Sequence, residues 1–223
     1  INKGYFSSLG ISEESYKETY VPFGFSNFQT IINDIRDFAD QPGGPPIIIL
    51  TVVGSSIPAF FKEIINQGIL ASDIPILGLD VLEADLEGLD TTSLVGHLNC
   101  WAYLQNVESE ANTQIKSNWA SFVKANGLPY KSDVMIDPMV SAYDGVHMWA
   151  KAVEKAGTFE VPVKEAFDGI TFNCPSGYEI SLGSENNYVA RGVFIGSVNE
   201  NQAFDILWQS DDTPKPVPFS PYA

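Results

Sequence analysis

Cysteine, histidine, positive charge and long apolar runs are all scarce in this chain, and each scarcity removes a class of function. Two cysteines, Cys100 and Cys174, are too few for a disulfide scaffold or a thiolate metal site. They read either as two small buried hydrophobes or as one disulfide, and spacing alone does not choose. The histidines, His97 and His147, form no zinc-protease pattern, and His147 falls on the flank of a helical stripe where a packed role is common. No nucleophile elbow, C-x-x-C pair or phosphate loop occurs, so the residues point to a binding protein rather than an enzyme, with no cofactor. Lys and Arg number 12 against 28 Asp and Glu, a net charge of −16. A surface of that sign repels nucleic acid and anionic lipid, and suits a salty, extracytoplasmic setting. The longest apolar run, Pro45 to Val53, is too short to span a membrane and fits a buried strand.

What the chain does have is regular alternation. Ile1 to Gly10 reads as the back half of an amphipathic helix, with Ile1, Tyr5 and Leu9 on one face and Gly10 at its C-terminus. No strand precedes it, so the chain is expected to be the later part of a larger α/β protein. Tyr16 to Val21 alternates like a strand. Ser26 to Gln29 has capping-box spacing before a helical stripe of Phe28, Ile31, Ile32, Ile35 and Phe38. Ile47 to Val53 is a β-branched run expected to be covered on both faces. Gly54-Ser55-Ser56 then turns into a helix carrying Phe60, Phe61, Ile64 and Ile65, and Ile74 to Leu79 is the next strand. This is β-α-β-α-β, the pattern of a doubly wound parallel sheet.

Further on, Val81 to Asp90 is acidic and irregular, and Leu94 to Leu104 reads as an aromatic-rich strand. One helix carries Ile115, Trp119, Phe122 and Val123. A second opens at Asp137-Pro138, read as an N-cap followed by proline at the first helical position. Hairpins are expected around Ser184 to Asn187 and around Asn199 to Gln202. Pro214, Pro216, Pro218 and Pro221 make the end an extended tail.

Ligands of such sheets bind beyond the carboxyl ends of the strands. Gly54-Ser55-Ser56 follows one strand and opens a helix, offering backbone N–H groups, hydroxyls and the positive end of a helix dipole. The same three residues are equally well explained as a tight turn with a serine cap. Asp80 follows the next strand, with Glu83 and Asp85 nearby, and a carboxylate there accepts hydrogen bonds from an amine or amide. For Asp85 a solvated acidic loop is the simpler reading. Trp101, Tyr103, Tyr143 and Trp149 are candidates for an apolar wall, although core packing explains most of them.

Val21 to Ile32, Gly54 to Phe61, Gly96-His97 with Trp101, Tyr103 and Gln105, Asp137-Pro138-Met139, Ala142-Tyr143, Val146 to Trp149, Pro175-Ser176-Gly177, Trp208 and Pro218 to Tyr222 follow one another in a familiar order. Together they resemble the later portion of type I periplasmic solute-binding proteins, most closely the urea and short-chain-amide binders of ABC transporters. The resemblance implies a two-lobed α/β fold lacking its N-terminal portion. Residues 1–79 would belong to lobe two, 80–168 to lobe one, and 169–223 would return to lobe two. It implies a periplasmic or extracellular protein that closes on a small polar solute and hands it to an ABC permease, beside a missing N-terminal half or companion chain. Gly54, Ser55, Ser56, Asp80 and Glu83 would face the cleft, with Trp101 and Tyr143 beside them. Asp80 departs from the urea-type pattern, which has a small hydroxyl residue there. Related amino-acid binders hold the ligand ammonium with an acid at this crossover, so an amine-bearing solute becomes credible. Cys100 and Cys174 stand where small residues are usual, and this paired departure favours a disulfide between them. The alternative is a structural or receptor-type module that uses the fold for assembly, as the missing half, the acidic surface and the Pro-rich tail suggest.

Overall fold

Short β-branched runs and apolar stripes at helical spacing set the elements of this computed structural model, which describes residues 1–131, 133–160, 163–182, 187–217 and 219–222. In chain order these are α1 (Asn2–Ser8), α2 (Gln29–Ala39), β1 (Ile48–Leu50), α3 (Ser56–Asn66), β2 (Ile76–Gly78), β3 (Leu98–Trp101), α4 (Glu110–Asn126), α5 (Asp137–Ala156), β4 (Thr171–Asn173), β5 (Glu179–Leu182), β6 (Val189–Ala190), β7 (Phe194–Val198) and β8 (Phe204–Gln209). One five-stranded sheet has the order β1-β2-β3-β7-β8, and β4-β5-β6 form a separate small sheet. The first three strands of the large sheet run parallel, whereas β7 and β8 are antiparallel additions. The boundary expected after Leu79 therefore falls inside one sheet, because β3 pairs with β2 through Leu77–Leu98 and Gly78–Asn99.

α1 ends as its sequence dictates. Gly10 takes φ +74, the Gly10 N–H reaches the Ser7 carbonyl at 3.0 Å and the Ile11 N–H reaches Phe6 at 2.9 Å. Four other expectations need correction. Ser26 does not cap α2. Phe28 takes the N-cap position with no side-chain hydrogen bond, because its ring is buried edge-on between Phe25 and Phe60 at 4.9 and 5.3 Å, and this anchor fixes where the helix begins. Tyr16 to Val21 forms no ladder with any described strand, and extended backbone without a hydrogen-bonded neighbour is not a strand. Of the Ile47 to Val53 run only Ile48–Leu50 pairs; β1 is the sheet edge, so Ile47 and Val53 are exposed rather than covered. The residue capping α5 is Ile136, not Asp137. Asp137 is the first helical residue, which leaves its carboxylate free for another partner.

The large sheet packs against α2 and α3 through Ile32, Phe60, Phe61, Ile64, Ile76, Leu104, Phe194 and Phe204. A second core joins α5 to the small sheet through Met148, Ala152, Cys174 and Ile180, and a third lies between α4 and α5 around Tyr103, Ile115, Met135 and Val140. Tyr178 packs against the first two cores. β5 and β6 pair antiparallel as a hairpin, although its turn at 183–186 lies outside the described residues. The β7–β8 hairpin turns at Asn199 to Gln202, with Gln202 at φ +58 and the Asn199 side-chain carbonyl accepting the N–H groups of Asn201 and Ala203.

Among its described residues the tail has no regular element, and Tyr222 lies back on α1, where its ring meets Tyr5 edge-on at 5.1 Å. Gly4 is the contact point, since a Cβ there would run into the Tyr222 main chain. Gly4→Ala should therefore release the tail with the rest of the fold unchanged. Limited proteolysis should cleave after β8 at least about tenfold faster in the variant, because opened segments are cut in proportion to their population.

Candidate functional site

β1, β2 and β3 run parallel, so the segments that follow them, Thr51 to Ser56, Leu79 to Glu83 and Ala102 to Gln105, emerge at one edge of the sheet. β7 runs opposite, with Phe194 facing Trp101, and this brings Arg191 to Val193 to the same edge. The fold thus assembles the place where ligands of open α/β sheets bind.

Gly54 takes φ +63 to turn the chain from β1 into α3, and its carbonyl accepts the Ile57 N–H at 2.9 Å. Ser55 stands at the N-cap position without a side-chain hydrogen bond, so a capping serine does not explain this loop. Ser56 is 1 % exposed, and its hydroxyl has no partner. Asp80 is half-buried and makes no hydrogen bond or ion pair among the described residues. The site therefore combines the uncapped positive end of α3, an unpaired hydroxyl and an unpaired carboxylate.

Other candidates do different work. The Trp101 indole N–H and the Asn99 amide both donate to the Val81 carbonyl at 2.6 Å, which fixes the crossover after Asp80. Glu83 is turned inward and buried, and its carboxylate accepts the Gln105 N–H at 2.8 Å. Burial pushes its pKa up to about 7 against the pull of that bond, and the charges of Asp137 and Asp85 push the same way. Tyr143 is not at the sheet edge. Its ring lies against His147 at 4.2 Å and Phe172 at 6.1 Å, and it lines a groove of about 830 Å³ with Trp119, Phe122, Tyr130 and Met139. His147 stacks on Phe172 at 5.2 Å, and His97 is a core residue whose Nδ1 accepts the Ile76 N–H at 3.2 Å.

Cys100 and Cys174 are free thiols, so the disulfide that the resemblance favours is not formed. Cys100 sits in β3 of the large sheet opposite Ile195. Cys174 follows β4 of the small sheet and turns into its own loop, with Sγ 2.7 Å from the Ser176 hydroxyl and 3.2 Å from the Tyr178 carbonyl.

Sequence reasoning missed a buried charged cluster between the two sheets. Arg191 Nη1 donates to Asp137 at 3.1 Å and to the Ser141 hydroxyl at 2.7 Å, and Ser141 in turn donates to Asp137 at 2.9 Å. Asp144 is buried with neither oxygen paired; burial pushes its pKa up to about 7, Asp137 adds to the rise and Arg191 opposes it. The signal was present in the spacing of Asp137, Ser141 and Asp144, which places all three on one face of a helix.

The sequence profile of the "Periplasmic binding protein domain" matches residues 1–223. The chain belongs to that family. Among solved periplasmic binding proteins, the solute-binding protein of an ABC transporter from Rhodopseudomonas palustris HaA2, crystallised with p-hydroxybenzoic acid, superposes with a TM-score of 0.77 at 21 % identity, covering 95 % of this chain and 56 % of its own. Leu/Ile/Val-binding protein homolog 6 of Brucella melitensis is 27 % identical over 188 residues, 80 % of this chain and 44 % of that protein. A Geobacillus stearothermophilus protein named limonene hydroxylase is 31 % identical over 128 residues, 56 % of this chain and 21 % of its own length. This periplasmic binding protein domain thus spans about half the length of the Rhodopseudomonas protein and less of the other two. None of its described helices is long and apolar enough to cross a membrane.

Proposed function

We propose that this domain supplies the strand-end half of a cleft that binds a small polar solute outside the cytoplasm for delivery to an ABC permease. One observation carries the reading: an unpaired carboxylate, Asp80, shares a sheet edge with the uncapped start of α3 and the unpaired Ser56 hydroxyl. A carboxylate accepts hydrogen bonds from an ammonium or amide, while helix N–H groups and a hydroxyl donate to a carbonyl or carboxylate. Urea, a short-chain amide and an amino acid all carry both functions, and Asp80 favours the amine-bearing solute. The name of the Brucella relative, a Leu/Ile/Val binder, supports the same choice.

In this reading the large sheet with α2 and α3 is one lobe, and α4, α5 and the small sheet belong to the other. The crossings are β3 to α4 and β6 to β7. The groove beside Tyr143, with exposed Phe122 and Tyr130, is the face a companion segment would cover. Native mass spectrometry followed by calorimetry with urea, acetamide and leucine tests the proposal. Asp80→Asn should weaken an amine-bearing solute about tenfold or more and leave urea within a few-fold, because a charge-assisted hydrogen bond contributes about 1.5–3 kcal/mol. Equal affinity of wild type and variant for every solute bound would remove Asp80 from the site.

A further inference from the structure

Arg191 stands where the chain passes from one sheet to the other, after β6 of the small sheet and before β7 of the large one. It reaches across to α5, and only half of its guanidinium is in use: Nη1 is held by Asp137 and Ser141, whereas Nη2 is buried without a partner. Asp137, Ser141 and Asp144 form a stripe two turns long, with Ser141 midway, and Asp137 and Asp144 lie about 10 Å apart along the axis. The far rung, Asp144, is 3 % exposed and has no partner on either oxygen. A half-buried guanidinium whose buried Nη2 is spare thus faces two carboxylates, with one hydroxyl shared between them.

We propose that Arg191 is a two-position latch on the hinge: it is seated here on Asp137 and Ser141, and its second seat is on Ser141 and Asp144. Moving one rung shifts the crossing segment along α5, and with it the large sheet relative to the helical part. The shared serine lets the exchange proceed without leaving the guanidinium bare, since its hydroxyl can donate to either acid while accepting from Arg191. Which seat is held depends on the charge of Asp144. A neutral acid leaves Arg191 on Asp137, and an ionised one draws the free Nη2 edge towards it.

Other titratable groups reach this stripe. Glu83 and Tyr103 interact electrostatically with Asp137, and Cys174 with Asp144 and Arg191. Burial pushes the Tyr103 phenol and the Cys174 thiol up, so both stay neutral. Of these three groups, Glu83 shares the range of Asp144.

The latch does not depend on which solute fills the cleft, so it is testable on the chain itself. Spin labels at Asp37→Cys in α2 and Glu154→Cys in α5, in a Cys100→Ser background, report the separation of the two parts by pulsed EPR. Two distance populations are expected, with their ratio changing about tenfold between about pH 5 and about pH 8. Asp144→Asn should keep only the population favoured at low pH under both conditions, and Asp137→Asn only the other. If Asp137→Asn fails to fold, wild type and Asp144→Asn alone decide. A single pH-independent distance in wild type, or an unchanged pH response in Asp144→Asn, overturns the latch.

Discussion

The melting temperature of this protein should fall as pH rises from about 4.5 to about 7, then level off. Glu83 and Asp144 both sit near pH 7 in the folded chain, well above the ordinary carboxylate range they return to on unfolding. Between the two ranges the native state binds more protons than the unfolded one. Unfolding then releases protons, and stability is lost with each rise in pH until both acids are ionised in both states. A tenfold difference in proton affinity between the two states is worth about 1.4 kcal/mol, so each group costs at most about 3–5 kcal/mol above pH 7. At about 2–4 °C per kcal/mol for a chain of this size, the combined effect is at most on the order of 10–30 °C. Movement of Arg191 towards Asp144 recovers part of that acid's cost. The charges that act on Glu83 are those of Asp137 and Asp85, both acidic, so Glu83→Gln should be the more stabilising change at about pH 8. The amide oxygen still accepts the Gln105 N–H and no longer carries a buried charge. Scanning calorimetry of wild type, Glu83→Gln and the double variant with Asp144→Asn checks this. A melting temperature that climbs through the same window, as it does where acids are ion-paired, would contradict it.

The residues that made the fold legible are those whose pattern is local. The stripes through Ile32 and Phe60, the stop at Gly10 and the turn at Gly54 each depend on neighbours within a few positions, and all three are formed in the structure. Ile47 to Val53 and Tyr16 to Val21 misled for one reason: whether extended backbone becomes a strand, and whether that strand is central or edge, depends on a partner far along the chain. The cap at Asp137 failed in a more informative way. Asp-Pro is a sound helix start by local chemistry, yet the carboxylate is held by Arg191 from the segment between β6 and β7, and Ile136 takes the cap. The site divides along the same line. Gly54, Ser55, Ser56 and Asp80 follow strands, and the parallel order of those strands brings them together. The resemblance sets Glu83 beside Asp80 at the cleft, whereas in the tertiary fold its carboxylate is buried and accepts the Gln105 N–H.

Gly192→Ala is the substitution expected to damage the structure most, and its location explains why. Gly192 lies between Arg191 and β7, and a Cβ there would sit 2.1–2.5 Å from three atoms of the Tyr178 ring. That ring cannot retreat. Its hydroxyl donates to the Ser210 carbonyl beyond β8, and its face meets Phe194 at 5.6 Å. The backbone of Gly192 must move instead, against the Arg191 contacts on one side and the β3–β7 ladder on the other. Forced overpacking of this kind costs about 1–3 kcal/mol in a core with room to relax, and this site stands at the upper end because both neighbours are tethered. Denaturant unfolding should show stability lowered by about 3 kcal/mol, whereas Gly43→Ala in an open loop should change little. Tyr178→Leu removes the ring edge that the new methyl strikes, so Gly192→Ala combined with Tyr178→Leu should be less damaging than the sum of the single changes. An additive double variant would mean that the ring is not what makes glycine necessary at this crossing.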